Sequence, residues 1–254
     1  MKLNFLFALF LFLITTFYST PILIQFHPQL VVWNVGQGQW VTYIDSKTCY
    51  HLDAGGEFAP WKSISLSCAD KKNWVYLTHW DLDHVRFLPK LQKKLGETCL
   101  KIFPPPPIST TKQKIFQSLP LCSNNLDKSK VTLLATSPVG LAKKNPNNGN
   151  IYLVDGFALV TGDADKQFEG YLSNRLSGLK IKVLIVGHHG SATSTSTRLL
   201  NALPKVSQAI ASSRYQRYRH PNVQVIHRLK KNKTPLLTTE RFGSIWISKA
   251  KIFF

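Results

Sequence analysis

Carboxylates are scarce in this chain. Asp and Glu together number 13 against 32 Lys and Arg in 254 residues, a formal net charge of +19. After Gly170 the shortage is sharper, with Glu240 the one acidic residue among fifteen Lys and Arg. Two readings of the excess stay open, a solvated basic surface or a polyanion partner, which means nucleic acid or anionic lipid. Cysteine is sparse as well. Cys49, Cys68, Cys99 and Cys122 include no CxxC spacing, which argues against a cysteine zinc site and against a thioredoxin-type motif. An even set allows up to two disulfides in an oxidising compartment; free buried thiols are the alternative. No internal repeat and no clear interdomain boundary are visible. With 44% hydrophobic and 11% aromatic residues, the composition excludes disorder and leaves one layered α/β domain.

Long apolar runs are confined to the N-terminus. Lys2 is followed by an almost unbroken hydrophobic stretch through Ile14, then Thr, Ser and further apolar residues to Ile24. Residues 1–25 therefore read as a signal peptide or membrane anchor, and residues 26–254 as the folded domain. Lys2 marks the cytoplasmic side, which places the domain on the extracytoplasmic, periplasmic side, membrane-anchored or exported.

Along the rest of the chain, residues 30–35 and 40–44 read as a hairpin about Gly36-Gln-Gly38, 49–53 as a third strand and 73–78 as a fourth. Residues 85–95 have helical character. Residues 101–150 look least regular, with Pro104 to Pro107 as a stiff extended connector and 143–150 as a turn-rich loop. A hairpin of 151–154 and 157–160 turns at Asp155-Gly156. Helices are expected over 166–176, 195–203 and 221–231, strands over 181–187 and 208–212, and a closing hairpin over 236–239 and 244–248.

The densest chemistry is His79-Trp-Asp-Leu-Asp-His84, four potential metal ligands directly after an apolar strand. Unpaired charge at a buried strand end is costly to desolvate, and a divalent cation removes that cost. Imidazole plus carboxylate suits zinc, manganese or iron. Two more apolar strands end in ligand types, at Asp163-Ala-Asp165 and at His188-His189. Strand ends share one rim, so the three groups can converge there. Two cations held by such a set would activate water and clamp phosphoryl oxygens. Each residue has a plainer role as alternative. Asp163 could cap the next helix, a role that suits Asp165 better. His188 and His189 could be a core pair, and adjacent side chains at a strand end point opposite ways. His220 is either a surface residue or a proton donor or phosphate contact beside the site. His27, His51 and His227 read as structural. Arg214, Arg217 and Arg219, interleaved with Tyr215 and Tyr218, are suited to hold phosphates and stack bases, or form an ordinary solvated loop. Ser191 opens a hydroxyl-rich run that serves either a phosphate or a helix cap.

Asn34-Val-Gly-Gln-Gly38, Leu52-Asp-Ala-Gly-Gly56, Leu77-Thr-His-Trp-Asp-Leu-Asp-His84, Thr161-Gly-Asp163, Gly187-His-His-Gly-Ser191 and His220-Pro221 follow one another in an order that resembles the metallo-β-lactamase-like domain of ComEC competence proteins, over roughly residues 31–247. The resemblance implies a four-layer αβ/βα sandwich with a dinuclear site at the sheet edges. It implies two divalent ions, zinc or manganese, with His79, Asp81, Asp83, His84, Asp163 and His188 or His189 as ligands. It also implies a role in DNA uptake, in degrading the strand that is not imported. Within these motifs the chain departs from the family pattern in two ways. Asn34 and Gln39 stand where the family usually has Asp. Val85-Arg-Phe stands where it has Gly-Gly. As in ComEC relatives, the Asn147-Asn148 loop stands in place of the general superfamily's middle histidine, and Asn148 is a candidate substrate contact. The multi-helix channel region is missing, so the chain reads as the detached domain, with a separate competence channel protein as a candidate partner.

These residues lead to a metal-dependent nuclease or phosphodiesterase acting on DNA, probed by Asp83 and His220 as its catalytic groups and Ser191, Arg214, Arg217, Arg219 and Asn148 as its substrate contacts. A small phosphoester hydrolase on the same fold, such as a phosphorylcholine or teichoic-acid esterase, is a second reading. A catalytically silent DNA-binding accessory, with Val85-Arg-Phe blocking the metals, is a third.

Overall fold

Strand side chains alternate with a period of two, and the alternation sends neighbours into different cores. Leu30, Val32, Tyr50, Leu52, Trp74 and Tyr76 face one core, while Val31, Trp33, Cys49, Val75 and Leu77 face another. A sheet apolar on both faces has to be covered on both. The computed structural model describes residues 27–105, 109–123, 129–248 and 252–253. Its first sheet joins β1 (Gln29–Val32), β2 (Val41–Ile44), β3 (Thr48–Leu52), β4 (Lys72–Tyr76), β5 (Thr98–Ile102), β12 (Ile245–Ser248) and β13 (Ile252–Phe253), in the order β13-β12-β1-β2-β3-β4-β5. The second joins β6 (Val131–Thr136), β7 (Asn150–Val154), β8 (Ala158–Val160), β9 (Val183–Ile185), β10 (Gln208–Ala211) and β11 (Leu236–Thr238), in the order β11-β10-β9-β8-β7-β6. Within the first sheet β3, β4 and β5 are parallel; within the second, β8 to β11 are.

The sheets face each other across Leu30, Tyr50 and Tyr76 on one side and Tyr152, Val160, Ile185 and Ile210 on the other. Outside the first sheet lie α1 (Trp61–Cys68) and α3 (Leu88–Leu95), which bury Ile64, Cys68, Leu88, Leu91 and Leu95. The spacing of Leu88, Leu91 and Leu95 is one face of a helix. Outside the second lie α6 (Lys166–Ser173), α7 (Thr197–Asn201) and α9 (Val223–Lys231), through Phe168, Leu172, Leu199, Leu200, Val225 and Leu229. This is the four-layer αβ/βα sandwich expected.

Several local expectations need correction. The closing hairpin does not form. β11 pairs in parallel with β10, and β12 crosses to the first sheet to pair with β1, with α10 (Thr239–Phe242) between them. The helix expected over 85–95 breaks. α2 (Leu82–Val85) is a single short turn that carries Asp83 and His84, and α3 restarts behind Phe87 with Pro in its first turn, where a missing N–H is tolerated. The stretch 101–150 is more regular than expected, with α4 (Thr110–Phe116), β6 and α5 (Val139–Lys144). β6 lies at a sheet edge with an irregular burial pattern, so it carries no clean alternation. α9 begins after Pro221, with Asn222 as its cap, Oδ1 accepting from Gln224 N at 3.0 Å. Pro104 and Pro105 sit in a bend after β5; the rest of that run, like residues 1–25, lies outside the described residues. Among the described residues no helix is long and apolar enough to cross a membrane.

Both cysteine pairs are disulfides. Cys49–Cys68 ties β3 to α1, and Cys99–Cys122 ties β5 to the segment after α4, over sequence separations of 19 and 23. Closing loops of this length is expected to contribute about 3 kcal/mol each. Reduction should therefore lower the urea midpoint of unfolding well outside measurement error; an unchanged midpoint in reductant would show that the bridges contribute nothing.

Candidate metal centre

Parallel strands end on the same side, and here the ends carry polar loops. Asp53 follows β3, His79 to His84 follow β4, Asp163 follows β8, and His188 and His189 follow β9. The two rims are bound to each other just beneath these loops. Tyr152 Oη donates to Leu77 O at 2.7 Å, and Asn150 N donates to Thr78 O at 2.8 Å. Any side chain at Gly149 would meet Thr78 O, and any at Gly55 would meet the backbone of Asp83 and His84. Both loops approach this closely only because these residues lack a Cβ.

Asp163, 3% exposed, is the centre of the cluster. Its Oδ1 lies 3.2 Å from His84 Nε2 and 3.8 Å from His189 Nε2, and its Oδ2 lies 3.7 Å from His79 Nε2 and 3.5 Å from His188 Nε2. Asp83 reaches in from α2, with Oδ2 3.2 Å from His189 Nε2. Among the described residues two groups of donors are compact enough to share an ion: His79, His84 and Asp163, and Asp83, His84 and His189.

The rear nitrogens explain why the Nε2 atoms point inward. His84 Nδ1 donates to Asp53 Oδ2 at 2.8 Å. Thr78 Oγ1 donates to the same oxygen at 2.7 Å, so its lone pair is left to accept from His79 Nδ1 at 3.0 Å. His189 Nδ1 donates to Ser212 O at 3.0 Å. Three imidazoles thus have their Nδ1–H anchored behind, which leaves Nε2 as the ligand atom. His79 Nε2 is buried with no hydrogen-bond partner, the condition a cation would relieve. The donor set of imidazole and carboxylate fits a divalent ion of the zinc or manganese type. Backbone strain accompanies the site, since His188 and His189 both adopt positive φ, 49° and 53°, at a cost of about 1–3 kcal/mol each.

The charges are interlocked. Burial opposes a proton on His84, yet Asp163 and Asp53 on either side raise its pKa well above the usual value. Burial and the adjacent His84 charge lower His79 to about 4. Burial works against Asp163 as well, but His84, His189 and His79 hold it well below the carboxylate range. Asp83 is likewise held low, its burial outweighed by the hydrogen bond from His189 and by the His84 and His189 charges.

Asp81 stands apart. It is in neither compact group; one oxygen is ion-paired with Lys112 Nζ at 2.7 Å, and the other is 3.8 Å from His79 Nε2. Asn148 is buried beside the next helix cap. Its Nδ2 donates to Asp165 Oδ2 at 2.9 Å and its Oδ1 accepts from Asp165 N at 2.9 Å, so it braces the Asp165 loop. Asp165 caps α6, as its position suggested, accepting from Gln167 N and Phe168 N. The Val85-Arg-Phe side chains are directed away from the cluster. Val85 and Phe87 point into the outer core, where Phe87 stacks on Trp40, and Arg86 is exposed.

His220 lies beside the cluster, its ring 6.3 Å from that of His188. Gln37 Oε1 accepts from Arg214 N, which turns Gln37 Nε2 toward His220 Nδ1 at 3.1 Å. The neutral His220 ring therefore carries its proton on Nε2, the reverse of the three ligand imidazoles. Burial and the neighbouring His189 and His188 lower its pKa and favour that neutral form. Arg214 and Arg217 are paired with Glu57 at 3.0 and 2.8 Å, while Arg219 lies over the Tyr215 ring at 5.6 Å. Ser191 Oγ is 2.9 Å from Thr193 Oγ1 on the exposed side of the His188 turn. His51 is structural, as expected, bonded to Thr42 and Asn73 within the sheet.

Residue-by-residue reading missed Asp53, Gln39, Gln37, Lys112 and Glu57. Only Asp53 left a signal, an acidic residue at the end of an apolar strand and before Gly55-Gly56.

Metal uptake has to expel the His84 proton, so affinity is expected to rise with pH as long as that proton is present. Calorimetry in buffers of different ionisation enthalpy should register the released proton; pH-independent uptake without release would contradict the charge state described. Asp53→Asn should weaken metal binding roughly 10- to 100-fold, measured by competition with a chromophoric chelator.

No family model matches the chain. It is 33% identical over 87 residues to ComE operon protein 3 of Bacillus subtilis, a match covering 34% of this chain and 11% of that protein. It is 42% identical over 89 residues to competence protein ComA of Neisseria gonorrhoeae, covering 34% of this chain and 13% of that one. The matched stretch is thus a small part of those longer proteins. Among solved structures, the metallo-β-lactamase fold protein YhfI from Bacillus subtilis superposes with a TM-score of 0.53 at 15% identity, over 84% of this chain and 96% of that one. The fold built from these strands, and the sequence matched within it, make this chain a metallo-β-lactamase-fold homologue, over part of its length, of the ComEC competence proteins.

Proposed function

We propose that this protein is a metal-dependent phosphodiesterase that cleaves DNA, single-stranded by preference, in the setting of competence-related DNA uptake. The observation that carries the reading is the convergence of His79, His84, His188 and His189 on Asp163, with Asp83 beside them. His79, His84, Asp163, Asp83, His189 and His188 are the residues that would hold two divalent ions. Ions bound there supply positive charge to a phosphoryl group and acidify water.

The chain's own residues do the remainder. Asp53 and Thr78 keep the imidazoles of His84 and His79 turned inward. His220 presents an Nε2–H fixed by Gln37, a donor suited to a phosphoryl oxygen or a departing alkoxide. The Arg214 to Arg219 segment leads directly into His220, and together with the net charge of +19 it suits a polyanion. The two disulfides support a location in an oxidising compartment, exported or membrane-anchored, with a separate channel protein as partner.

The test is a nuclease assay on the purified chain. Manganese- or zinc-dependent cleavage of single-stranded DNA is expected, abolished by Asp163→Ala or Asp83→Ala. His220→Gln should lower kcat by about 100-fold with metal content unchanged. Metal-loaded protein that hydrolyses only small phosphoesters would move the assignment to an esterase, and DNA binding without any cleavage would leave an accessory binder.

A further inference from the structure

Glu57 is the acidic residue at the centre of the basic rim. It follows Gly55-Gly56 at the end of the β3 loop, with its side chain 17% exposed. Oε2 accepts from Arg214 Nη1 at 3.0 Å and from Gln37 N at 3.2 Å. Oε1 accepts from Arg217 Nη1 at 2.8 Å, with Tyr218 Oη 3.5 Å away. Two guanidinium groups, a backbone N–H and a phenol around one small anion are the donor chemistry that phosphoryl oxygens take. The seat adjoins the metal centre, because Gln37 also contacts His220 and Arg214 N.

The contact is poorly explained as a stabilising strap. Arg214 and Arg217 are 44% and 63% exposed, and ion pairs that exposed are worth about 0–1 kcal/mol. The surroundings look outward as well. Phe58, Tyr215 and Tyr218, on the two segments that meet here, are exposed by 49%, 47% and 40%, as aromatic rings that stack on bases are before binding. The segment from Arg214 to Tyr218 (α8, Tyr215–Tyr218) contacts Glu57 on one side and, on the other, Glu240, which accepts from Tyr215 N at 2.8 Å. Removing Glu57 therefore leaves α8 with a second tether.

We propose that Glu57 is an internal stand-in for a phosphoryl anion: the donors around it form a phosphate seat beside the metal centre, and a ligand phosphate takes that seat by displacing the carboxylate. The proposal rests on the phosphodiesterase reading for the ligand's chemical class. Its consequence is selectivity. A lone weak anion does not open the seat, whereas a ligand anchored elsewhere along a strand or at the metals does.

The experiment measures binding, with a chelator present, of a fluorescent oligothymidylate to the full chain, the wild type and Glu57→Gln, across a salt series. Glu57→Gln should bind several-fold tighter, with a log–log salt slope steeper by roughly 0.7 for each arginine released to a phosphate. Arg217→Gln, a surface change that does not threaten folding, should weaken binding more in the Glu57→Gln background than in the wild type. Inorganic phosphate is the second probe. If the oligonucleotide alone binds Glu57→Gln better, the seat serves a nucleic-acid backbone. If inorganic phosphate also does, at matched ionic strength, it serves a single phosphoryl group.

Unchanged or weaker binding of both probes by Glu57→Gln would overturn the proposal, as would an Arg217→Gln effect no larger in that background than in the wild type. Restoring manganese or zinc separates this inference from the reading beneath it. Tighter binding without cleavage keeps the seat and removes the nuclease, and cleavage with unaltered binding does the reverse.

Discussion

A fully buried carboxylate, Asp53, supports the site from below. It accepts from Thr78 N and Oγ1, His84 Nδ1 and Gln39 Nε2, all at 2.7–2.8 Å. Four donors around one buried charge satisfy it without water, and each donor is thereby fixed. Thr78 in turn fixes His79, and His84 is fixed directly. The Gln39 that stands where the ComEC family usually has Asp is therefore not an empty departure, since its amide is one of the four. An amide here supplies a donor to Asp53, whereas a second carboxylate would need a proton or a further cation to stand 2.7 Å from it.

The second sheet contributes its imidazoles through a different device. The turn at Gly187–Gly190 holds two consecutive histidines at positive φ, and the following loop has to be firm enough to sustain that strain. Glu169, 0% exposed, accepts from Thr195 N at 2.5 Å and Ser196 N at 2.7 Å. Arg228 from α9 donates to Thr195 O and Ser194 O, both at 2.8 Å. Burial raises Glu169 to about 7, in spite of those donors and the nearby Arg228. An acid from α6 and a base from α9 thus fasten one loop between two helices. The first sheet stabilises its ligands through one hydrogen-bonded anion, the second through a braced main chain.

Much of this was legible in the residues. Apolar strands ending in His79 to His84, Asp163 and His188-His189 announced the cluster, because charge at the end of a buried strand has few other uses. Period-two alternation placed most central strands. The misses have physical causes. β6 lies at an edge and lacks alternation. β11 and β12 are close in sequence, which suggests a hairpin, but their apolar faces complete different sheets. Asn148 is a polar residue in a polar loop, and nothing local reveals that Asp165 satisfies both ends of its amide. Ion pairs between distant segments, Lys112 with Asp81 and Glu57 with the arginines, leave no local pattern, since either partner alone resembles an ordinary solvated charge.

The pairing of β12 with β1 couples the two ends of the folded region. Leu30 and Val32 in β1 are covered with help from Ile245 and Ile247. During synthesis, that neighbour strand is among the last parts of the sandwich to leave the ribosome. Until it arrives, β1 has an unpaired edge, and the layer that carries Asp53 and His79 is incomplete. A site built this way is assembled late in the making of the sandwich, and a chain interrupted before residue 245 is left with an open sheet.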